Sequence, residues 1–346
     1  MKMSLRPAWQ KWLLIFVSIL GLASFAGTAL KDSELVYSPF LVGLLCLICG
    51  GGWCLLLFRL GRFSEWEVKW RPLVPILALL LGAFSVALTL MAIHFTELYL
   101  PLPSQIDPHS SQPLRNHAEV LTFFIVGVGL REEGLKLLCF LPLALLLRKV
   151  KDRRIILVSA SLVGLGFAAV ENFQYTMSMP TLSGRFLTAN ALHMALTGLC
   201  GLALHDSFRK GGDEAPRTLA AAVAAHGMYD FLILYPGGKD QDGLGFFAMI
   251  IFFLVAMRWL RTFQQSLGNF RLQIYGDGLR PGISLWDRVS ASSLFMTAVA
   301  LSLACDLFLR IPAAGLVNAL LATYMELLGS AVLIIFYLRE IGENPR

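Results

Sequence analysis

Charged side chains are scarce in this chain of 346 residues. Asp, Glu, Lys and Arg make up 15% of the sequence, hydrophobic residues make up 56%, and the mean hydropathy is +0.67. An ordinary soluble domain carries about 25% charged residues, so this composition excludes a water-soluble enzyme. It is typical of a chain that crosses a membrane many times.

The sequence also lacks the patterns of several common sites. Its six cysteines all lie in apolar stretches, which argues against a disulfide framework. It contains no GxSxG, the pattern around the nucleophile of many serine hydrolases, and no HExxH, the pattern of many zinc proteases. The functional residues must therefore be sought among other polar groups of the apolar stretches.

Ten apolar stretches are each long enough to cross the roughly 30 Å hydrocarbon layer, which needs about 20 helical residues. We therefore predict an all-α fold, a polytopic membrane helix bundle with about ten transmembrane helices in contact with the lipid bilayer. The stretches cover residues 12–30, 37–58, 73–96, 119–147, 155–179, 187–207, 217–236, 243–260, 289–309 and 315–338.

The positions of the basic residues indicate how these helices are oriented. Twenty-two of the 29 Lys and Arg residues lie in the N-terminal tail, in every second loop and at the C-terminus, whereas the remaining loops hold one each. Cytoplasmic loops are enriched in Lys and Arg, so both termini are predicted to be cytoplasmic, and we favour an uncleaved first helix. The same distribution explains the net charge of +6 by membrane orientation, so we expect no nucleic-acid partner.

Ionisable residues at membrane depth are costly, and here they are concentrated in four consecutive predicted helices. We therefore divide the chain into helices 1–3 with their outer loop (residues 1–118), a four-helix core (119–236) and helices 8–10 (237–346). The four core helices carry, in order, Glu132, Glu133 and Lys136; Glu171 and Asn172; His193; and His226 and Asp230.

Spacing within the helices pairs some of these side chains. Lys136 follows Glu133 by three residues and Glu132 by four, so one ammonium reaches either carboxylate on a single helix face. Two adjacent carboxylates in different environments then have separate roles available. His226 and Asp230 are four residues apart, so the carboxylate accepts from one imidazole nitrogen and fixes the tautomer. With a rise of about 1.5 Å per residue, we expect the core groups to lie about 10 to 20 Å below the outer membrane surface, at depths from which one wet cavity could collect them.

These motifs resemble the motif series of the PrsW-type intramembrane proteases, which are bacterial relatives of the CAAX-protease and bacteriocin-processing superfamily. The resemblance covers roughly residues 119–236 and makes this segment the predicted catalytic core. It implies a multi-pass protease of the cell inner (plasma) membrane that cleaves a single-pass, membrane-tethered protein such as an anti-sigma factor. The motifs are Glu132-Glu133-x-x-Lys136, Phe167-x-x-x-Glu171-Asn172, His193 in the next helix, and His226-x-x-x-Asp230.

Peptide hydrolysis needs a base that activates water, an acid for the leaving amine and donors for the oxyanion. One of the two adjacent glutamates is the predicted base, and the sequence leaves the choice between them open. The histidines are candidates for positioning water and stabilising the oxyanion. Glu171 is a candidate for a second acid or for an anchor that holds a histidine. The predicted catalytic residues are Glu132, Glu133, Glu171, His193 and His226, supported by Lys136, Asn172 and Asp230.

Two alternatives remain open. A metal-dependent variant of the same protease would bind zinc through Glu133, Glu171, His193 and His226 and keep a water in the open position. We favour the metal-free glutamate mechanism, without a cofactor, because no helix carries two ligands at a tight spacing such as that of HExxH. A proton-coupled secondary transporter is the alternative from another class, since buried carboxylates are ordinary in transporters. The other half of the chain has no matching block of polar helices, which disfavours the transporter.

Overall fold

The structure is a computed structural model that describes residues 6–30, 34–61, 63, 66, 72–99, 117–178, 185–234, 242–275, 285–324 and 326–329. Within these residues the secondary structure is helical and includes no strand. A 3₁₀ turn covers Glu34–Tyr37, and a π-helical segment covers Phe123–Leu130. The α-helices are α1 (Arg6–Ala29), α2 (Pro39–Leu60), α3 (Leu73–Tyr99), α4 (His117–Thr122), α5 (Arg131–Leu146), α6 (Arg153–Ser178), α7 (Arg185–Lys210), α8 (Glu214–Leu234), α9 (Asp242–Tyr275) and α10 (Leu285–Ala314).

Local signals fix several helix ends. At the start of α2, the Ser38 hydroxyl accepts a hydrogen bond from the Leu41 backbone N–H at 3.3 Å, and Pro39 occupies the first helical position. After α7, Gly211 adopts a φ of +74°, in the left-handed region that glycine favours. Gly315 follows α10 with a φ of +79°. These residues end one helix and allow the chain to begin the next.

Among the described residues, six helices are long and apolar enough to cross a membrane. This confirms the all-α class and supports a multi-pass membrane protein, whereas the count of ten crossings and the cytoplasmic position of both termini stay predictions. The six candidate spans are Pro39–Leu60, Leu73–Thr96, Arg153–Ser178, Arg185–Lys210, Gly245–Phe263 and Ser293–Ala314.

The fourth predicted helix, residues 119–147, is not one continuous α-helix. The eight-residue π-helical segment separates α4 from α5. Hydrogen bonds in a π-helix span five residues instead of four, so the segment changes the face on which the following residues lie. Its sequence, FFIVGVGL, is apolar on all sides, which is why the hydrophobic pattern does not reveal it. Glu132 and Glu133 follow directly in the first turn of α5.

The chain forms two compact units, neither of which is continuous in sequence. Unit 1 comprises Met1–Glu65, Ala168–Ala191 and Phe263–Arg346, and unit 2 comprises Trp66–Phe167 and Leu192–Thr262. The predicted division at residues 118 and 236 follows the order of the chain and stays a prediction.

Helices α2, α7 and α10 meet in unit 1 through buried polar contacts. The Trp53 indole N–H donates to Ser302 Oγ at 3.0 Å, and Cys49 Sγ lies 3.2 Å from the same hydroxyl. Asn190 Nδ2 in turn donates to Cys49 Sγ at 3.3 Å. All six cysteines are free thiols, in agreement with the expected absence of a disulfide framework. Cys49 acts here as a small hydrogen-bonding group of the core.

Glycines bring helix backbones into direct contact in unit 2. A Cβ atom on Gly164 of α6 would overlap the backbone carbonyl of His193 on α7. A Cβ atom on Gly227 of α8 would overlap the backbone of the π-helical segment at Ile125. Membrane helices rely on such small residues for close packing, because lipid gives them no hydrophobic driving force to associate. The contact at Gly164 fixes the backbone of one predicted site histidine.

We predict that Gly164→Ala destabilises the protein, because the added methyl group meets backbone atoms that cannot rotate away. Overpacking of this kind costs about 1 to 3 kcal/mol. Gly50→Ala is the matched control, since a Cβ atom on Gly50 has no neighbour within 4 Å. Thermal unfolding of both variants in detergent measures the difference. Equal melting temperatures for Gly164→Ala and wild type would contradict the close α6–α7 contact.

Candidate active site

The candidate site in unit 2 begins with three ionisable side chains of α5. Lys136 Nζ donates to Glu133 Oε1 at 2.8 Å and to Glu132 Oε2 at 3.4 Å. The three side chains share a helix face because they are spaced three and four residues apart, as the sequence predicted. Lys136 is fully buried, so carboxylates rather than water compensate its charge.

Helix α8 brings His226 against the same carboxylates. Its Nδ1 lies 2.8 Å from Glu133 Oε1. Its Nε2 lies 3.3 Å from Asp230 Oδ2, one turn along the same helix, and 3.6 Å from Glu132 Oε2. The expected pairing of His226 with Asp230 is therefore present in the structure. Each ring nitrogen faces a carboxylate, which holds the plane of the imidazole in a defined orientation.

Helix α7 adds His193 to the other side of the lysine. His193 Nδ1 lies 2.7 Å from Lys136 Nζ, and its ring meets the His226 ring edge to face, with the ring centroids 5.0 Å apart. Lys136 Nζ also lies 3.8 Å from the centre of the Phe167 ring. This cation–π contact gives a structural role to Phe167. The sequence motif contains Phe167 but assigned no function to it.

The ionisable side chains of the candidate site differ in their exposure to solvent. The side chains of Lys136 and Glu133 are 0% and 1% exposed, whereas those of Glu132 and Asp230 are 10% and 15% exposed. The side formed by Glu132 and Asp230 therefore offers water and a substrate the shorter route to the buried groups.

The two carboxylate oxygens of Glu133 have different surroundings. Oε1 accepts from Lys136 and faces His226, whereas Oε2 is buried and has no hydrogen-bond partner among the described residues. A buried acceptor without a partner costs free energy, and a water that donates to it would remove that cost. A general base holds its attacking water in the same way. The geometry thus distinguishes Glu133 from Glu132, which the sequence did not.

Glu171 and Asn172 belong to unit 1 and have partners there. Arg185 Nη2 lies 2.5 Å from Glu171 Oε2, and the Arg185 guanidinium lies 3.9 Å from the centre of the Tyr175 ring. Asn172 Nδ2 donates to Asn190 Oδ1 at 3.1 Å. The catalytic role of Glu171 and the supporting role of Asn172 stay predictions. Sequence reasoning missed Arg185, because as the single basic residue of its predicted loop it carried no signal beyond topology.

Three of the site residues have ligand types and proximity suited to a metal ion. Single ligand atoms of Glu132, His193 and His226 lie within 4.8 Å of one another, and all three residues are buried. Two histidines and one glutamate also form known catalytic zinc sites. This set shares its two histidines with the expected set but contains Glu132 in place of Glu133 and Glu171.

The position of Lys136 opposes a metal ion at these residues. Its ammonium contacts both Glu132 and His193, so a full positive charge already lies against two of the three possible ligands. A second cation beside it would be repelled strongly in a buried site of low dielectric constant. The donor types fit zinc, but the arrangement with Lys136 in place does not.

The chain matches the profile of the PrsW family intramembrane metalloproteases over residues 71–257. The matched segment is more than half of the chain and contains every predicted site residue from Glu132 to Asp230. Neither a curated protein nor a solved structure matches the chain.

We predict that Glu171 and Arg185 are energetically coupled. Their side chains are only 10% and 14% exposed, so removal of either partner leaves the other charge poorly solvated. In a double-mutant cycle, the destabilisation of the Glu171→Ala/Arg185→Ala double variant should be smaller than the sum of the two single destabilisations by about 1 kcal/mol or more. Thermal unfolding of the four proteins measures this term, and strict additivity would show that the ion pair contributes nothing.

Proposed function

The chain belongs to the PrsW family of intramembrane proteases, and on this basis we propose that it is an endopeptidase that cleaves membrane-tethered proteins with water activated by Glu133. Family membership makes the chain an intramembrane peptidase and favours this activity over the transporter alternative. The observation that carries the glutamate mechanism is the buried Oε2 atom of Glu133, which has no hydrogen-bond partner among the described side chains.

Glu133 is suited to act as the base because its two oxygens have separate tasks. Lys136 and His226 hold Oε1, which leaves Oε2 to accept a proton from the attacking water. As the water oxygen bonds to the substrate carbonyl carbon, its proton passes to Oε2. The same proton then passes to the amine nitrogen when the carbon–nitrogen bond breaks. Glu133 thus serves first as base and then as acid.

The histidines are the proposed donors to the oxyanion. His193 Nδ1 lies 2.7 Å from the Lys136 ammonium and accepts from it, so a neutral His193 ring carries its proton on Nε2. An N–H held in a buried site stabilises developing negative charge far better than one in water. His226 Nε2, held beside Asp230, is the second candidate donor.

The proposed substrate is a single-pass membrane protein, cleaved near the membrane surface. The accessible side of the site, at Glu132 and Asp230, is where we propose that the extended peptide enters. An anti-sigma factor is the substrate type to which the motif resemblance points. The proposed location is the inner (plasma) membrane of a bacterial cell.

We predict that Glu133→Gln abolishes cleavage, because the amide cannot accept the proton of water. General bases contribute about 10²- to 10⁴-fold to rates, so the remaining activity should be below about 1%. Glu132→Gln should lose less, since its oxygens are not held in the same way. The measurement is cleavage of a single-pass reporter with an epitope tag on each side of the membrane, at matched expression of each variant.

Glu214→Gln is the matched control, because Glu214 is an exposed residue in the first turn of α8. It should cleave the reporter at the wild-type rate. Normal cleavage by the Glu132→Gln/Glu133→Gln double variant would disprove the glutamate mechanism.

A further inference from the structure

Lys136 places a positive charge against the residues of this site that could hold a metal ion. Its ammonium lies 2.7 Å from His193 Nδ1 and 3.4 Å from Glu132 Oε2, so it contacts two members of the possible ligand set. We propose that Lys136 is the built-in cation of this site and excludes a divalent metal ion from Glu132, His193 and His226.

The hydrogen bond to the lysine removes His193 as a ligand. A histidine binds a metal through the lone pair of a neutral ring nitrogen. The Nδ1 lone pair of His193 points to the Lys136 ammonium, and the ring proton then occupies Nε2. Neither nitrogen of His193 presents a lone pair to a metal ion while this contact lasts.

His226 has surroundings that would suit a ligand. A metal-binding histidine usually donates its second ring N–H to a carboxylate, which orients the ring. His226 Nδ1 lies 2.8 Å from Glu133 Oε1, and its Nε2 faces Glu132 Oε2 at 3.6 Å. A metal ion beside Glu132 would need the lone pair of His226 Nε2, and therefore a ring whose only proton lies on Nδ1. The two glutamates therefore favour a neighbouring cation, and Lys136 supplies it through contacts of 2.8 Å to Glu133 and 3.4 Å to Glu132.

The lysine is held firmly in this position. Lys136 is 0% exposed, and its ammonium lies against the face of the Phe167 ring, which is itself 1% exposed. Moving the ammonium away would separate a buried charge from its two carboxylate partners, Glu133 and Glu132. A metal ion therefore does not displace the lysine at low cost.

This proposal rests on the proposed function. In a protease with this site, the fixed ammonium of Lys136 would supply the electrostatic support that zinc supplies in a metalloprotease. The binding test itself needs no cleavage. It uses the full-length protein in detergent and Zn²⁺ as the probe. The bound zinc is counted after dialysis against metal-free buffer, and its affinity is measured by competition with a chromophoric chelator.

Two neutral substitutions and one conservative substitution form the test. Lys136→Met and Lys136→Gln remove the charge at similar side-chain length, and Lys136→Arg keeps it. We expect wild type and Lys136→Arg to retain no stoichiometric zinc. The neutral variants should bind one ion about 10- to 100-fold more tightly than wild type, a range typical of changes around metal ligands. Adding His193→Ala to Lys136→Met should abolish that binding.

Stoichiometric zinc in the wild-type protein that is lost in His193→Ala would overturn the proposal. Equal zinc affinity in wild type and a folded neutral variant would do the same. If neither neutral variant folds, the zinc content of wild type and of Lys136→Arg still tests the proposal, because the proposal requires both proteins to lack stoichiometric zinc. Wild-type zinc together with Glu133-dependent cleavage would refute only this inference. The expected zinc pattern together with normal cleavage by the double Gln variant would refute only the glutamate mechanism.

Discussion

A fully buried ammonium group constrains the whole of the candidate site. Lys136 has no access to water, so the surrounding helices must supply its counterions and acceptors. Helix α5 supplies two carboxylates and α7 supplies an imidazole nitrogen, while α8 places His226 against the carboxylate that Lys136 contacts. A shift of any of these helices would leave a buried charge uncompensated, at a cost of about 3 to 5 kcal/mol. The geometry of the proposed chemistry and the packing of unit 2 are therefore set by the same contacts.

Backbone contacts at glycines make this arrangement possible. Gly227 directly follows His226 and lets α8 approach the π-helical segment, and Gly164 lets α6 approach the backbone of His193. A side chain at either position would overlap the facing backbone and force the two helices apart. The π-helical segment contributes from the other direction, because it sets the rotation of the first turn of α5, where Glu132 and Glu133 lie. The close backbone contacts at the glycines and the buried polar contacts of Lys136 thus position the site together.

The sequence predicted contacts within a helix better than contacts between helices. Pairs such as Glu133 with Lys136 and His226 with Asp230 follow from helical periodicity alone. The contact of His193 with Lys136 depends on the rotation and depth of two different helices, which an apolar stretch leaves undetermined. The π-helical segment lay hidden in a uniformly apolar run for the same reason. The ion pair of Glu171 with Arg185 was not foreseen either, because its two residues come from different helices.

The adjacent residues Glu132 and Glu133 have the same side chain but different contacts and exposure. Glu133 is held by a 2.8 Å contact to Lys136 and a 2.8 Å contact to His226, whereas Glu132 makes longer contacts of 3.4 Å and 3.6 Å to the same two residues. A base must keep its geometry while the proton moves, so the tightly held carboxylate suits that task. The second, more exposed carboxylate can adjust to an incoming peptide without disturbing the first. Lys136 and His226, each placed closer to Glu133 than to Glu132, together create this difference between the two carboxylates.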